Sequence, residues 1–149
     1  MTVPAHPVKI RPFVIEDYPA VRTLWEDAEL PYKPGGRDSE SVVRREIDRD
    51  TASFFVAERN HRIIGVIFGT HDGRKGWINR LAVHPDEQHT GIAQRLLMTV
   101  ESALEQKNIR IIACLIDEGN NASVAFFQKM GYIPHDDIHY YCKKHNEDV

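Results

Sequence analysis

The chain has 149 residues, of which 42% are hydrophobic and 28% are charged, a composition typical of one globular domain. Nineteen Lys and Arg against 22 Asp and Glu give a net charge of -3. This balance disfavours nucleic acid as the main partner, because proteins that bind polyanions carry a basic excess. No stretch approaches the ~20 apolar residues of a membrane span. We therefore expect a single domain over residues 1–149 that binds neither nucleic acid nor a membrane.

The N-terminus and the cysteines indicate the compartment. Residues Met1–Val8 hold two prolines and lack the apolar core of a signal peptide. Cys114 and Cys142 are too few for a disulfide framework and are typical of thiols in a reducing compartment. We therefore expect a cytoplasmic protein. None of the eight histidines belongs to a set with convincing metal-ligand spacing, so we expect no metal.

The first third of the chain predicts a strand and two helices. The segment Val8–Phe13 is short and β-like, and Ile15–Ala28 carries apolar residues at helical spacing. The stretch Leu30–Arg37 contains two prolines and two glycines, which end this helix. A second helix follows, with Asp38 or Ser39 as its candidate N-cap.

The middle of the chain predicts three strands joined by short turns, which favours an antiparallel meander. They are Ser53–Glu58, Arg62–Thr70 and Gly76–His84, and Pro85 ends the third.

In the last third of the chain, the spacing of the apolar residues changes. Apolar residues at helical spacing begin at Ile92 and predict a helix of four or five turns. The almost wholly apolar run Ile109–Ile116 predicts a strand buried on both faces, inside the sheet and not at its edge. Asn120–Met130 predicts another amphipathic helix, and Tyr132–Ile133 and Ile138–Lys143 predict two final short strands.

The predicted order is therefore β-α-α-β-β-β-α-β-α-β-β, an α/β fold with a mixed sheet and helices packed on it. The crossover from a strand through the long helix to a buried strand predicts one parallel pair.

The most informative segment joins the third meander strand to the long helix. The free N–H groups of the first helical turn point back into this loop. Gly91 has no side chain and Ala93 has only a methyl group, so an anion such as a pyrophosphate could approach the amides of Gln88–Ala93 closely. The segment contains no Gly-Lys-Ser/Thr, which excludes a Walker A loop. An ordinary helix start with a small packing residue is the alternative.

Two motifs in this region carry a family resemblance. Gln88-His89-Thr90-Gly91-Ile92-Ala93 matches the Gln/Arg-x-x-Gly-x-Gly/Ala signature of the GCN5-related N-acetyltransferases, the GNAT superfamily. Downstream, the segment from Asn120 to Tyr132 resembles the Asn…Leu-Tyr-x-x-x-Gly-Phe segment of that family. One predicted strand lies between the two predicted helices that carry these matches, as in the family.

The resemblance implies a GNAT-like fold: a mostly antiparallel sheet with one parallel pair splayed for the cofactor, and helices on both faces. It implies acetyl-CoA as cosubstrate and a primary amine as acceptor. It places pyrophosphate on the loop amides and the pantetheine arm along the third meander strand. It also places Asn120, at the start of the Asn120–Met130 helix, near this arm. The cofactor-binding residues it implies are Leu81, Ala82, Val83, Gln88, His89, Thr90, Gly91, Ile92, Ala93, Asn120 and Phe127.

The catalytic groups are less well defined, because Phe127 stands where the family usually has a tyrosine. A phenyl ring has no proton to give to the leaving thiolate, so Tyr132 is the candidate acid. Glu118, after the apolar strand, is the candidate base that accepts the proton of the amine. Packing for Tyr132 and a solvated loop position for Glu118 are the alternatives.

The part of the sequence expected to bind the acceptor contains few recognisable motifs. Glu26, Asp27 and Glu29 could attract a cationic amine, or they could form a solvated helix end. The acceptor is expected to be a small molecule, a peptide N-terminus or a lysine, acetylated by direct transfer in a ternary complex. The alternative function is a non-catalytic acyl-CoA-binding sensor or interaction module. Oligomeric state stays open, with a homodimer through exposed strands as one arrangement common in this fold class.

Overall fold

The computed structural model describes residues 6–149, which contain five strands and four α-helices in the order β-α-α-β-β-β-α-β-α. The first five residues of Met1–Val8, for which we expect no targeting signal, lie outside the described residues. The strands are β1 Lys9–Pro12, β2 Ala52–Arg59, β3 Arg62–His71, β4 Lys75–Val83 and β5 Ile111–Cys114. The helices are α1 Tyr18–Asp27, α2 Glu40–Ile47, α3 Ile92–Gln106 and α4 Asn121–Lys129. Among residues 6–149, no helix is long and apolar enough to cross a membrane.

The sheet has the order β1-β2-β3-β4-β5. Strands β1 to β4 pair antiparallel, whereas β4 and β5 pair parallel. This arrangement confirms the predicted mixed α/β sheet, its meander and its single parallel pair. The parallel pair follows from chain geometry, because α3 carries the chain back across the sheet before β5 begins.

Helices cover both faces of the sheet and divide the core in two. Helices α1 and α2 pack on one face with Trp25, Val43, Phe54 and Phe68, and we call this the α1/α2 layer. Helices α3 and α4 pack on the other face with Leu96, Val100, Leu104 and Phe127, which we call the α3/α4 layer.

Helix α3 lies close to the sheet because three strand positions under it are glycines. A Cβ at Gly65 would lie 3.0 Å from Leu96, at Gly69 2.6 Å from Val100, and at Gly76 2.7 Å from Leu104. These three α3 residues are spaced four apart and form one face of the helix. The missing side chains therefore set the height of α3 above the sheet along most of its length.

The helix starts follow the local sequence. Ser39 caps α2 by accepting a hydrogen bond from the N–H of Val42, as the sequence suggests. The stretch predicted as one helix from Ile15 to Ala28 begins as a 3-10 turn over Ile15–Asp17 and becomes α-helical at Tyr18. Pro19 stands in the first turn of α1, where a missing N–H costs nothing.

Two expectations at the end of the chain are wrong. Tyr132–Ile133 and Ile138–Lys143 form no strand, because nearby backbone groups are used locally. The N–H of Tyr132 donates to the carbonyl of Phe127 at the end of α4, and the N–H of Ile138 donates to His135 in a turn.

The apolar run Ile109–Ile116 is also placed differently from expectation. Only Ile111–Cys114 is a strand, and β5 is the last strand of the described sheet. Ile111 is 53% and Leu115 is 60% exposed. The run is therefore buried on one face only, because no strand or helix within residues 6–149 covers its other side.

Candidate active site

A cleft opens where β4 and β5 part. The parallel ladder runs from Lys75 opposite Ile111 to Ile78 opposite Cys114 and stops there. Beyond it, Arg80–Val83 still pairs with β3 on one side but has no strand on the other among the residues described. The backbone N–H and C=O groups on that open edge are free to pair with an extended ligand, as an added strand would.

A β-bulge coincides with the start of the cleft. In the β3–β4 ladder Phe68 lies opposite Arg80 and Gly69 opposite Ile78, so Asn79 is an extra residue in β4. A bulge bends its strand and increases the local twist. The bend explains why β4 leaves β5 immediately after Ile78. The side chain of Asn79 donates a 2.7 Å hydrogen bond to Thr70 on β3.

The loop after β4 leads to an uncapped helix end. Gly91 is the N-cap of α3 with φ of 84°, and it offers no side chain to the first-turn amides. The first helical bond joins the N–H of Arg95 to the carbonyl of Gly91, so Ile92, Ala93 and Gln94 precede it. A Cβ at Gly91 would meet nothing within 4 Å. The amides at this helix end therefore face open space that an anion can enter.

Contacts within the loop hold that shape. His89 also has a positive φ of 64°, and Thr90 donates a 2.6 Å hydrogen bond to the carbonyl of Glu87. Glu87 forms an ion pair with Arg59 at the end of β2. The carboxylate of Glu87 is thus already paired and does not face an incoming anion as an isolated charge.

The other predicted cofactor residues lie around the same cleft. Leu81 and Val83 pack toward the α3/α4 layer, whereas Ala82 is buried in the α1/α2 layer. Asn120 is the N-cap of α4, and its side-chain oxygen accepts from the N–H of Ser123 at 3.2 Å. Phe127 is 7% exposed and packs against Phe126 and Tyr132. Its place is in the core beneath the cleft.

The two predicted catalytic residues are placed separately. The hydroxyl of Tyr132 donates a 2.9 Å hydrogen bond to Glu101 on α3. Burial and this carboxylate raise the pKa of Tyr132 well above its usual range. Glu118 is exposed in the turn between β5 and α4. Its carboxylate makes no hydrogen bond or ion pair with any of residues 6–149.

The acidic residues at the end of α1 are partly neutralised. Glu26 accepts a hydrogen bond from Tyr32 at 2.6 Å and lies 3.6 Å from Arg22. Asp27 lies 3.8 Å from His84. Arg22 therefore offsets part of the negative charge of Glu26, so the cluster carries less net negative charge than the sequence suggests.

One pair on the acceptor side was not predicted. Arg80 binds the buried carboxylate of Asp38 at 2.7 Å, joining β4 to the loop before α2. The signal for Arg80 was present, because Asn79 and Arg80 interrupt an apolar strand. Asp38 carried only a capping signal, and the contact spans 42 residues of chain. The cysteines Cys114 and Cys142 are unpaired, and no group of three metal-ligating side chains comes together within residues 6–149.

A parallel strand pair that parts beside an uncapped helix end leaves a free strand edge next to free helix amides. Residues 19–132 match the acetyltransferase (GNAT) family, and the chain belongs to it. Acetyl-CoA is the cosubstrate of this family. The free first-turn amides, the open space at Gly91 and the open β4 edge fit this acyl carrier.

Known proteins agree with this assignment. Acetyltransferase ECA0875 of Pectobacterium atrosepticum is 35% identical over 84% of this chain and 87% of its own length. The PaiA N-acetyltransferase of Thermoplasma acidophilum, solved with coenzyme A, has a TM-score of 0.78 at 21% identity, covering 87% of this chain and 92% of that one. AAC(6')-Iy, solved with a CoA bisubstrate analogue, has a TM-score of 0.77 at 18% identity, covering 93% and 99%. The two solved structures show the shared fold.

Proposed function

We propose that this protein transfers the acetyl group of acetyl-CoA to a primary amine in a ternary complex. The acceptor class comprises small molecules, peptide N-termini and lysine side chains. The single observation that carries the proposal is the end of the β4–β5 ladder at Ile78 and Cys114, beside the uncapped start of α3. That arrangement offers a strand edge to the carrier arm and helix amides to its phosphates.

The proposed roles of this chain follow from amine and thioester chemistry. Acetyl-CoA supplies the acyl group as a thioester, whose thiol is a fair leaving group. A primary amine has a pKa near 10 and is mostly protonated at neutral pH, so a base must accept its proton. We assign that role to Glu118, directly or through water. Free N–H groups on the β4 edge would stabilise negative charge developing on the acyl oxygen.

Tyr132 is the proposed acid for the departing thiolate. Its ring packs on Phe127 at a centroid distance of 5.1 Å, next to the position where the family usually has its tyrosine. Its phenol is protonated at neutral pH, which is the state that a proton donor requires, and its raised pKa makes it a weaker acid than a free tyrosine.

The proposal is tested by two measurements on the wild-type protein. Acetyl-CoA should raise the melting temperature, because a ligand that binds only the folded state stabilises it. An added amine from a broad panel should then release free CoA thiol. No stabilisation at millimolar acetyl-CoA would contradict both binding and turnover. The variant Glu118→Gln should lower kcat by about a hundredfold or more if Glu118 is the base, while Asp136→Asn in an exposed turn should not.

An acyl-CoA-binding sensor is the second candidate, and the burial of Phe127 at the usual tyrosine position favours it. Such a sensor would be stabilised by acetyl-CoA and would release no thiol with any amine or peptide. The two measurements above therefore separate it from the enzyme.

The proposal also includes the domain organisation, the cellular compartment and the oligomeric state of the protein. Two unpaired cysteines support a single cytoplasmic domain. The outer edge of β5 has no partner strand within residues 6–149, and exposed edges favour pairing between copies. A homodimer in solution would be detected by its mass in light scattering.

A further inference from the structure

The side chain of Arg80 lies on the acceptor side of the cleft. Arg80 follows the Asn79 bulge and lies opposite Phe68, which belongs to the α1/α2 layer. The next residue, Leu81, packs toward the α3/α4 layer. Arg80 and Leu81 therefore project from opposite faces of β4 at the point where the strand edge becomes free. If the carrier occupies that edge, Arg80 is next to the reacting end from the side of α1 and α2.

The guanidinium of Arg80 is held by hydrogen bonds from two of its three nitrogens, and the third has no partner among residues 6–149. Its Nη2 donates to Asp38 Oδ2 at 2.7 Å, and its Nη1 donates to the carbonyl of Asn79 at 2.9 Å. The Nε–H is buried and has no partner among residues 6–149. Asp38 Oδ2 also accepts from the N–H of Lys33 at 2.8 Å. The ion pair therefore uses one carboxylate oxygen and leaves the Nε–H of the guanidinium unused.

A second unpaired donor belongs to the α1/α2 layer. Trp25 is fully buried, and its Nε1–H has no partner within the described part of the chain. Its ring packs edge-on against Phe68 at 5.4 Å, and Phe68 is the cross-strand neighbour of Arg80. Native proteins leave few buried donors unpaired. Trp25 and Arg80 thus each have a buried donor without an acceptor on the α1/α2 side of the sheet.

The segment between α1 and Asp38 is a loop without a helix or strand. It includes Leu30–Arg37, which contains Pro31, Pro34, Gly35 and Gly36. Asp38 anchors its end through Arg80, through Lys33 and through the hydroxyl of Tyr18, which donates to its carbonyl. Because Asp38 uses only the Nη2 of Arg80, an acceptor oxygen can take the Nε–H while this ion pair stays formed.

We propose that Arg80 determines acceptor specificity by donating its Nε–H to an oxygen on the carbon next to the amine-bearing carbon of the acceptor. This inference rests on the proposed function and narrows its acceptor class. An α-amino acid carries such an oxygen in its carboxylate, and a peptide N-terminus carries it in its first carbonyl. A simple alkylamine or a lysine side chain has no oxygen at this position.

The test compares acceptors that differ only at this group. Alanine, phenylalanine, histidine and glutamate are each paired with the amine formed by loss of the α-carboxylate, and each is also assayed as its α-amide and as the N-terminal residue of a dipeptide. Thiol release gives kcat and KM for every member. At least one amino acid or dipeptide should exceed its decarboxylated amine in kcat/KM by tenfold or more, because a site built to hydrogen-bond a group rejects analogues without it. Turnover limited to the free acids would assign the carboxylate as the source, and turnover of the amides and dipeptides would assign the carbonyl.

The variant Arg80→Gln should raise KM for the oxygen-bearing acceptor and leave turnover of the decarboxylated amine within twofold of wild type. Arg74→Gln, in the exposed β3–β4 turn, is the matched control and should change neither. Retained stabilisation of Arg80→Gln by acetyl-CoA shows that the variant is folded and that the cofactor half is intact. A variant that fails this check is replaced by Arg80→Lys, which keeps the charge and lacks the Nε–H, and the same loss of discrimination is expected.

Two results would overturn the inference and leave the proposed function standing. One is equal kcat/KM for the members of every pair, and the other is an equal loss on both members in Arg80→Gln. Absence of thiol release with every amine, despite stabilisation by acetyl-CoA, would instead overturn the proposed function and this inference with it.

Discussion

Gly91 combines a left-handed backbone conformation with open space at the start of α3. Its φ is 84°, and a Cβ there would meet no atom within 4 Å. Replacing it with Asp would put a negative charge beside the amides that we assign to the pyrophosphate. We expect Gly91→Asp to raise the Kd for acetyl-CoA at least tenfold, because the new carboxylate repels phosphate and can itself cap these amides.

Gly73 provides a matched control for this substitution. It has a φ of 86° and the same open surroundings, but it lies in the β3–β4 turn. Gly73→Asp therefore carries the same backbone strain and the same charge, and acetyl-CoA affinity measured by calorimetry should stay near wild type. Equal affinities for the two variants would contradict the assignment of the loop.

Tyr132 has a structural partner in addition to its proposed chemical role. Removal of its hydroxyl in Tyr132→Phe deletes the hydrogen bond to Glu101 and should lower the free energy of unfolding by about 1 kcal/mol. If Tyr132 is the acid, kcat should also fall by about a hundredfold. Tyr141→Phe is the control, because Tyr141 is 90% exposed. Lowered stability with unchanged kcat would leave Tyr132 as a packing residue.

At the scale of elements, the packing of α3 on glycines places its N-terminus at a fixed height beside the cleft. The variant Gly69→Ala would bring a methyl group within 2.6 Å of Val100. Overpacking of this kind costs about 1–3 kcal/mol, so the melting temperature should fall by several degrees. If α3 shifts to relieve the clash, acetyl-CoA affinity should fall as well.

Gly35→Ala is the control for Gly69→Ala, since a Cβ at Gly35 meets nothing within 4 Å. Its melting temperature should stay within about a degree of wild type. An unchanged melting temperature for Gly69→Ala would show that α3 tolerates more separation from the sheet than its packing indicates.

The elements best predicted from sequence are those specified by local patterns. The turns between β2, β3 and β4 and the start of α3 depend on neighbouring residues, and they form as expected. Ile138–Lys143 has the composition of a strand, but it pairs with no strand among residues 6–149 although the outer edge of β5 is free. Whether a segment reaches a free edge depends on the path of the chain through the whole fold. For the same reason, the pairing of Arg80 with Asp38 on the acceptor side could not be predicted from sequence. Asp38 is capping-like by sequence, and only the tertiary fold brings it to Arg80.

At the scale of the whole molecule, an ion-pair network ties the N-terminal strand to the sheet and to α1. Arg11 on β1 donates to Asp17 at 2.8 and 2.9 Å and to Glu58 on β2 at 2.8 Å. Burial alone would raise the pKa of Asp17, but hydrogen bonds from Arg11 and from the N–H of Val14 outweigh it and hold that pKa below its usual value.

Because the pKa of Asp17 is lower in the folded protein than in the unfolded chain, its contribution to stability is present above pH 4 and is lost as the pH falls below it. We expect Asp17→Asn to lower the free energy of unfolding by about 2 kcal/mol at pH 7. The gap to wild type should narrow between about pH 4 and pH 2. Urea titrations across this range measure it, with the exposed Glu16→Gln as control. A gap that is constant with pH would show that Asp17 acts by packing alone.

The bulge at Asn79 gives the cleft an unusual dependence on chain length. Ile78 and Leu81 both pack toward the α3/α4 layer, while Arg80 faces the α1/α2 layer. An in-frame deletion of Asn79 would leave these three side chains in regular alternation, with no change of face. It would remove the bend that separates β4 from β5, so the ladder could continue past Cys114 into the space that we assign to the cofactor. In this chain the proposed binding cleft therefore depends on the presence of one extra residue in β4, more than on the identity of its side chain.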